Sequence, residues 1–180
     1  MVTNDPQLAT KVRMLRDHGS VRKYEHSFPG YNFRMEGIQG AVLAAKLKHL
    51  DGWNESRRAL AQKYQSHLSN SSFTLPAETP GAQHVYHLYV IQAEDREALR
   101  QQLGKVGIET GLHYPVPLHL QEAYRSLGYC AGDFPVTEHL AAHILSLPMF
   151  PELPEEALEF VAETLLECSR SMAEPSRAVR

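Results

Sequence analysis

Cysteine is scarce in this chain, and its two cysteines, Cys130 and Cys168, lack the paired spacing of metal ligands. Such sparing use favours a reducing, cytoplasmic location over a scaffold built from disulfides. A single bond between the two stays open at this point. His84 and His87 lie in a strand-like run, where their spacing directs the two rings to opposite faces, so we expect no metal site there.

A strong charge of one sign is also missing. The 180 residues contain 18 Lys and Arg against 21 Asp and Glu, for a net charge of -3. Nucleic-acid binding normally requires a clustered basic face, so we expect no nucleic-acid partner. The apolar stretches are too short to cross a bilayer, and we expect no secretory leader before the first helix and no membrane partner. The composition is that of one globular domain, or of one domain with part of another.

Familiar catalytic patterns are absent as well. The chain has no glycine-rich phosphate-binding motif of the usual forms. It has no Ser-His-Asp or Cys-His arrangement recognisable by spacing, and no internal repeat. Any chemistry must therefore depend on residues outside these known motifs. The order of the predicted helices and strands, given below, indicates an α+β fold.

The first 34 residues are predicted to form the end of a strand at 1–3, a helix over 6–18 and an ordered polar loop over 20–34. Asn4 or Asp5 is placed to cap the helix. A strand, a helix and a polar loop cannot bury a core alone. We therefore expect residues 1–34 to be a remnant of a larger domain.

Residues 35–170 are predicted to form a long helix and a small α/β domain, with a tail over 171–180. The long helix spans about 36–68, with a bend at Gly52 or Asn54. The other predicted strands are 73–75, 84–93, 108–112 and 145–148, and the other predicted helices are 95–106, 120–127, 135–143 and 154–166. Asp95 is expected to cap the first of these helices, with Leu99 and Leu103 facing inward. This order favours a small sheet with helices packed on one face.

Prolines surround His113, Tyr114 and His119, and they make this segment a stiff loop that follows a predicted strand. Such loops often display binding groups. A rigid turn with surface histidines explains the same residues equally well.

Two further groups of residues suit anions. Arg13 and Arg16 share a helix face, and with Lys23 they could meet a phosphate or diphosphate. A solvated basic helix end is the simpler explanation for them. Asn32 either caps the following helix or reaches an anion together with Arg34.

Several blocks of the chain, in the same order and at similar spacings, resemble the C-terminal half of the DegT/DnrJ/EryC1/StrS aminotransferases. The resemblance runs from residue 1 to about 167. The blocks are RMLRDHGSVRKYEH, PGYNFRMEGIQGAVLAAKLKHLDGWNESRRALAQKY, HVYHLYVI, GIETGLHYPVPLHLQEAY and GDFPVTEHLAAHILSLPMFPEL.

The resemblance implies a pyridoxal-phosphate (PLP) enzyme of the fold-type I architecture, of which this chain would supply the small domain. The family mostly aminates keto groups of nucleotide-linked sugars, usually with glutamate as amino donor, and works as a homodimer with active sites at the subunit boundary. By resemblance, Asn32 would reach the PLP phosphate of the partner subunit. The substrate-binding residues implied are Arg16, Lys23, His113 and Tyr114, with His119 as a weaker candidate.

One departure from the family matters. The family attaches PLP through a Schiff-base lysine in its N-terminal half, which has no counterpart here. The lysines of this chain, at positions that do not match, are Lys11, Lys23, Lys46, Lys48, Lys63 and Lys105. We therefore expect no catalytic residue, no bound PLP and no transaminase activity in this polypeptide alone.

Two other functions stay open. The chain could be a stand-alone, non-catalytic module that binds nucleotide sugars or dimerises. A regulatory role is less favoured, because no helix-turn-helix with a basic face is recognisable. We also expect self-association, because two predicted helices have apolar stripes without cover. The stripe residues are Leu8, Val12, Leu15, Ile38 and Val42.

Overall fold

The structure is a computed structural model that describes residues 1–173, so the part of the predicted tail from residue 174 onward lies outside the described residues. The chain divides into two compact units, of which the first is Met1–Leu50 and the second begins at Asp51. The first unit thus extends beyond residue 34, and the origin of residues 1–34 in a larger domain stays a prediction.

The first unit contains two helices and a small hairpin. Helix α1 spans Pro6–Arg16, strands β1 (Ser20–Arg22) and β2 (Glu25–His26) pair antiparallel, and helix α2 spans Gly37–Leu47. The Asp5 carboxylate caps α1 by accepting hydrogen bonds from the first-turn amides, which confirms one of the two predicted caps.

Two predictions for this unit are wrong. Residues 1–3 form no strand, and the predicted loop over 20–34 contains the β1–β2 hairpin. The hairpin was missed because its turn is made by Tyr24, a non-glycine residue with a φ of 70°. Gly19 has a φ of 73°, and a side chain there would overlap the carbonyl of Phe28.

The predicted long helix is interrupted. Helix α2 ends at Leu47 and helix α3 spans Leu50–Leu68, so the break precedes Gly52 and Asn54, where we expected the bend. The amide of His49 donates to the carbonyl of Lys46 at 3.0 Å. This tight turn replaces the regular helical hydrogen bond and ends α2.

The second unit contains one two-stranded sheet. Strands β3 (Tyr89–Gln92) and β4 (Ile144–Leu147) pair antiparallel, with Tyr89 opposite Leu147. The helices that follow α3 are α4 (Arg96–Lys105), α5 (Pro135–His143) and α6 (Glu155–Ala173), and short 3-10 helices span Leu118–Leu120 and Glu122–Leu127. The α+β class is confirmed, although the sheet is smaller than predicted.

The predicted strands over 73–75 and 108–112 are wrong, because each is reduced to one bridge. These bridges pair Thr74 with Gln92 and Gly111 with Ser146. The predicted strand over 84–93 is too long. Tyr86 has a φ of 47°, which no strand accommodates, so β3 begins only at Tyr89.

The hydrophobic core lies in the second unit. Its largest fully buried side chains are Tyr64, Leu68, Tyr89, Ile91, Leu99, Leu103, Leu145, Leu158 and Leu165. The inward direction of Leu99 and Leu103 was predicted. The Tyr64 hydroxyl donates to the Pro148 carbonyl at 3.0 Å, and burial raises the pKa of Tyr64. The buried hydroxyl of Tyr64 is thus paired within the core.

One arginine joins the two chain segments that meet at one end of the sheet. Arg57 of α3 places its Nη1 atom 3.0–3.2 Å from the carbonyl oxygens of Tyr86, His87 and Met149. The first two carbonyls precede β3 and the third follows β4. A charged donor therefore holds both connecting segments against α3.

Within residues 1–173, no helix combines the length and the apolar character that crossing a membrane requires. Cys130 is exposed, Cys168 is buried, and both are free thiols. Burial raises the pKa of the Cys168 thiol. The bond that the sequence left open between the two cysteines is not formed.

Candidate functional site

The segment with the histidines is anchored to β4 of the second unit. Gly111 donates to the Ser146 carbonyl at 2.9 Å, and the Ser146 amide donates to the Gly111 carbonyl at 2.8 Å. Two residues later the imidazole of His113 places Nδ1 2.9 Å from Ser146 Oγ. The peptide bond between His113 and Tyr114 is cis. The strand thus determines where the loop begins and how its first ring is held.

A cavity of about 540 Å³ opens beside this loop. One wall is the loop from His113 to Leu118, and the other is formed by α5 residues Thr137, Leu140 and Ala141. The lining is mainly apolar with a few polar groups, and the volume lies within the usual range for small-molecule sites. The Tyr114 side chain is 73% exposed, so its ring is free to contact a ligand.

His119 lies outside this cavity lining. Its side chain is 7% exposed, with Nε2 3.0 Å from Glu138 Oε1 and its ring 4.8 Å from the Phe134 ring. The geometry supports a structural role, in which His119 ties the loop to α5. Substrate binding by His119 stays an untested prediction.

Glu138 is a structural residue that the sequence analysis missed. Its carboxylate accepts hydrogen bonds from the amides of Gly132 at 2.9 Å and Phe134 at 3.2 Å, in addition to its contact with His119. The Gly132 bond is the main reason that the pKa of Glu138 is lowered, and the bonds from Phe134 and His119 act in the same direction. A Glu in the first turn of α5 was the available signal.

The first unit holds the other three predicted residues. The end of α1 is paired with the segment that contains Asn32. The Tyr31 amide donates to the Leu15 carbonyl at 2.7 Å, and the Phe33 amide donates to the Arg16 carbonyl at 2.9 Å. Arg16 therefore contributes its backbone to this pairing, while its residue as a whole is exposed.

The side chain of Asn32 does not cap α2. That helix is capped by Glu36 and Gln39, so the capping explanation is wrong. Asn32 Oδ1 instead accepts from Arg34 Nε at 3.1 Å, and Arg34 Nη1 lies 3.5 Å from Asp17 Oδ1. The oxygen of the amide is thus engaged, and the NH₂ group of this exposed residue keeps its N–H donors for another acceptor.

Lys23 lies at the hairpin turn, with Nζ 5.1 Å from the centre of the Tyr24 ring. It lines a cavity of about 420 Å³ together with Arg22, Arg34 and Asp17. Three cations against one carboxylate favour an anionic occupant. Arg34 was not among the site residues implied by the resemblance, although its position two residues after Asn32 was a usable signal.

Within each unit the structure brings some predicted residues together and separates others. His113 and Tyr114 share one cavity lining, from which His119 is absent. Lys23 shares a cavity with Arg34, and Arg34 binds Asn32, whereas Arg16 lines neither. Across residues 1–173, no three His, Cys, Asp or Glu side chains form a group that could hold a metal ion.

Comparison with known proteins gives a consistent result. Residues 1–166 match the model of the DegT/DnrJ/EryC1/StrS aminotransferase family. The chain is 46% identical over 166 residues to the erythromycin biosynthesis sensory transduction protein EryC1 of Saccharopolyspora erythraea, covering 92% of this chain and 45% of that protein. It is 44% identical over 154 residues to the dTDP-3-amino-3,4,6-trideoxy-alpha-D-glucose transaminase of Streptomyces venezuelae, covering 85% of this chain and 41% of that protein.

Solved structures agree. The crystal structure of S. venezuelae DesV in complex with a ketimine intermediate superposes with a TM-score of 0.87 at 39% identity, covering 99% of this chain and 47% of that one. The chain therefore spans about half the length of the curated relatives that it matches.

Proposed function

The chain belongs to the DegT/DnrJ/EryC1/StrS aminotransferase family, and on this premise we propose that it forms the C-terminal part of a PLP-dependent aminotransferase acting on keto groups of nucleotide-linked sugars. The observation that carries the proposal is the 540 Å³ cavity, because it is lined by His113 and Tyr114, two of the residues that the resemblance assigned to substrate. The transaminase names of relatives support the same reaction class.

The cavity has the chemistry that a sugar nucleotide requires. The apolar lining suits the faces of a sugar or a base, and the exposed Tyr114 ring offers a stacking surface. The His113 imidazole adds a hydrogen-bonding group that can orient a hydroxyl or phosphate oxygen. These residues would bind and orient the substrate.

The first unit has groups that fit the cofactor phosphate and other anions. The amide of Asn32, with its oxygen engaged by Arg34, is left with N–H donors for a phosphate oxygen. Lys23 and Arg34 add positive charge on the neighbouring cavity, and Arg16 is the further cation that the resemblance assigns to the substrate. PLP, when bound, supplies the electron sink that allows an amino group to be transferred. We propose that Asn32 serves the phosphate of PLP in a partner subunit of a homodimer.

The polypeptide alone is proposed to be inactive. None of its six lysines matches the family position that attaches PLP, and Lys63 is engaged in an ion pair with Glu155. We expect no amino-group transfer when the purified chain is mixed with PLP, glutamate and a keto-sugar nucleotide. Transamination by the chain alone would contradict this part of the proposal.

A chimera tests the positive part. Residues 1–166 would replace the matching region of the S. venezuelae transaminase, whose remaining part would supply the cofactor lysine. We expect a PLP-loaded, active chimera in which H113A lowers kcat/KM by about tenfold, and more if a charged oxygen is bound. H67A, a change of an exposed histidine on α3, is the matched control and leaves kcat/KM unchanged. A chimera that binds PLP yet is inactive, or is insensitive to H113A, would refute the proposal.

The second candidate is a stand-alone, non-catalytic nucleotide-sugar-binding or dimerisation module. The observation in its favour is that the cavity is formed entirely by residues of the second unit. Calorimetry of the isolated chain with UDP- and dTDP-sugars separates the two functions. Micromolar or tighter binding that H113A abolishes supports the module, whereas binding too weak to measure supports a part of an enzyme.

A further inference from the structure

A buried serine in the core strand calls for an explanation. Among residues 1–171, the buried polar side chains are Ser146, 3% exposed, and Ser169, 7% exposed. On β4, Leu145 and Leu147 point to one face and Ser146 to the other, because side chains alternate along a strand. Burying a hydroxyl is unfavourable unless it is hydrogen-bonded. The partner of the Ser146 hydroxyl is His113 Nδ1 at 2.9 Å.

Gly111, which pairs with Ser146, leaves room for the imidazole ring of His113. A Cβ atom on Gly111 would lie 2.5 Å from Cε1 and 3.0 Å from Nδ1 of His113. Gly111 is bonded through its backbone in both directions to Ser146. The ring of His113 is therefore held over a residue without a side chain, with its Nδ1 directed at the serine hydroxyl.

The hydroxyl decides which ring nitrogen carries the proton. Ser146 Oγ has no other hydrogen-bond partner in the described part of the chain, so its hydrogen is satisfied only if the hydroxyl donates to Nδ1. In the opposite arrangement Nδ1–H would donate, and the buried O–H would be left without an acceptor, which is unfavourable. Donation to Nδ1 leaves the hydrogen of the neutral ring on Nε2.

His113 Nε2 keeps access to solvent. In residues 1–171, Arg96 Nε is the one buried side-chain nitrogen or oxygen that lacks a hydrogen-bond partner. His113 Nε2 also lacks a protein partner in these residues, so its absence from this group means that it is not buried. His113 is part of the cavity lining. The free N–H is therefore accessible to solvent on a residue that lines the cavity.

We propose that Ser146 is a positioning residue that holds His113 in the Nε2–H form, so that this N–H donates to an acceptor oxygen of the bound sugar nucleotide. Gly111 is the second part of the device, since it leaves the space that the ring occupies. The identity of the ligand rests on the proposed function, whereas the action of Ser146 on His113 is a property of the chain itself.

The test is a tautomer measurement on the whole chain labelled with nitrogen-15. Two-bond proton–nitrogen correlation spectra at about pH 8, above the ordinary imidazole range, show which ring nitrogen carries the proton. The His113 signals are assigned from their loss in H113Q. We expect a single Nε2–H pattern in the unmodified chain, and its loss to a mixture of tautomers in S146A.

The matched control is S169A, which removes the other buried serine hydroxyl, bonded to Ser72 on another part of the unit. It leaves the His113 pattern unchanged. G111A provides a second route, because its Cβ displaces the ring and shifts the His113 signals even if S146A proves unstable. An Nδ1–H pattern in the unmodified chain, or an S146A spectrum with the original His113 pattern, would overturn the proposal.

The chimera separates this inference from the proposed function. An active chimera together with a His113 pattern insensitive to S146A would remove the positioning role and keep the function. An inactive, PLP-loaded chimera together with a lost pattern in S146A would keep the positioning role and remove the nucleotide-sugar ligand.

Discussion

The two units of this chain are held together in different ways. Over residues 51–171, the second unit has a core of nineteen buried hydrophobic residues. In the first unit Gly19 is the one buried residue, and every residue of α2 except the partly buried Gly40 is exposed. Ile38 is 81% exposed and Leu47 68% exposed. The first unit therefore depends on backbone hydrogen bonds and turns, and the second on burial.

This difference separates the two kinds of candidate binding group. Ser146 stands on a strand of the buried core and is hydrogen-bonded to His113 of the loop, so their geometry is determined within the second unit. Asn32 and Lys23 stand on a unit with no core of its own, whose apolar helix is open to an external surface. We infer that the geometry of the anion-binding residues depends more on contacts from outside their unit than the geometry of the cavity residues does.

The difference in burial between the two units is tested most directly by truncating one leucine in each unit. Leu165 is fully buried, and L165A is expected to lower the free energy of unfolding by about 2–5 kcal/mol. Leu43 is 53% exposed, and L43A is expected to change it by less than about 0.5 kcal/mol. Urea unfolding followed by circular dichroism measures both. Equal losses of unfolding free energy in the two variants would show that Leu43 is buried as Leu165 is, and would contradict the difference between the units.

The reliance of the first unit on its backbone is tested at Gly19. G19A places a side chain in a left-handed conformation, which costs about 1–2 kcal/mol. The new Cβ atom would also overlap the Phe28 carbonyl. We expect faster hydrogen exchange at the Ser27 amide, which donates to Gly19 O at 3.0 Å. G37A is the control, because no atom lies within 4 Å of a Cβ there, and it leaves the exchange rate at Ser27 unchanged. Unchanged exchange in G19A would contradict the expectation.

The exposed helix is expected to make the chain self-associate. Ile38 and Val42 are 81% and 52% exposed, and replacing both by glutamate is expected to weaken association at least about tenfold, because each buried aliphatic side chain contributes about 1.5–3 kcal/mol. Q62E/H67E adds two carboxylates to exposed positions of α3 and is the matched control. Sedimentation equilibrium measures the association constant. A monomer at high concentration before any substitution would rule out this surface as an interface.

The smallest expected effect is the pH dependence contributed by Glu138. Its pKa in the folded chain is below its value of about 4.5 when unperturbed. The carboxylate therefore stabilises the fold fully above about pH 4.5, and this contribution is lost as the pH falls through the lower folded value. Urea unfolding at several pH values should show a difference between the unmodified chain and E138Q that shrinks on acidification. E163Q, at an exposed position of α6, should show no such trend, and a pH-independent effect of E138Q would contradict the assignment.

Local signals were sufficient for much of the helical structure. Asp5 and Asp95 cap α1 and α4 as predicted, because a capping carboxylate acts within three residues of its own position. Leu99 and Leu103 are buried as their spacing predicts. The strands were overestimated, because alternation over 84–93 cannot show that Tyr86 adopts a positive φ. Strand length depends on distant partners, which a local pattern does not contain.

The candidate site was predictable to a similar degree. The prolines correctly placed His113 and Tyr114 in a stiff loop, and the resemblance suggested their ligand. The pairing of His113 with Ser146 joins positions 33 residues apart, and no spacing in the sequence announces it. The contact of His119 with Glu138 joins positions 19 residues apart, and no spacing in the sequence announces it either.

Arg57 has a consequence for how motion in the second unit can be observed. Its guanidinium shares three carbonyls from chain segments that are otherwise far apart in sequence. A displacement of the backbone at Tyr86 is thereby transmitted to Met149, so a fluorescent or spin label beside either residue reports on the same event. All three acceptors meet the single Nη1 atom, so R57A removes the shared donor, and labels at the two places would then respond independently.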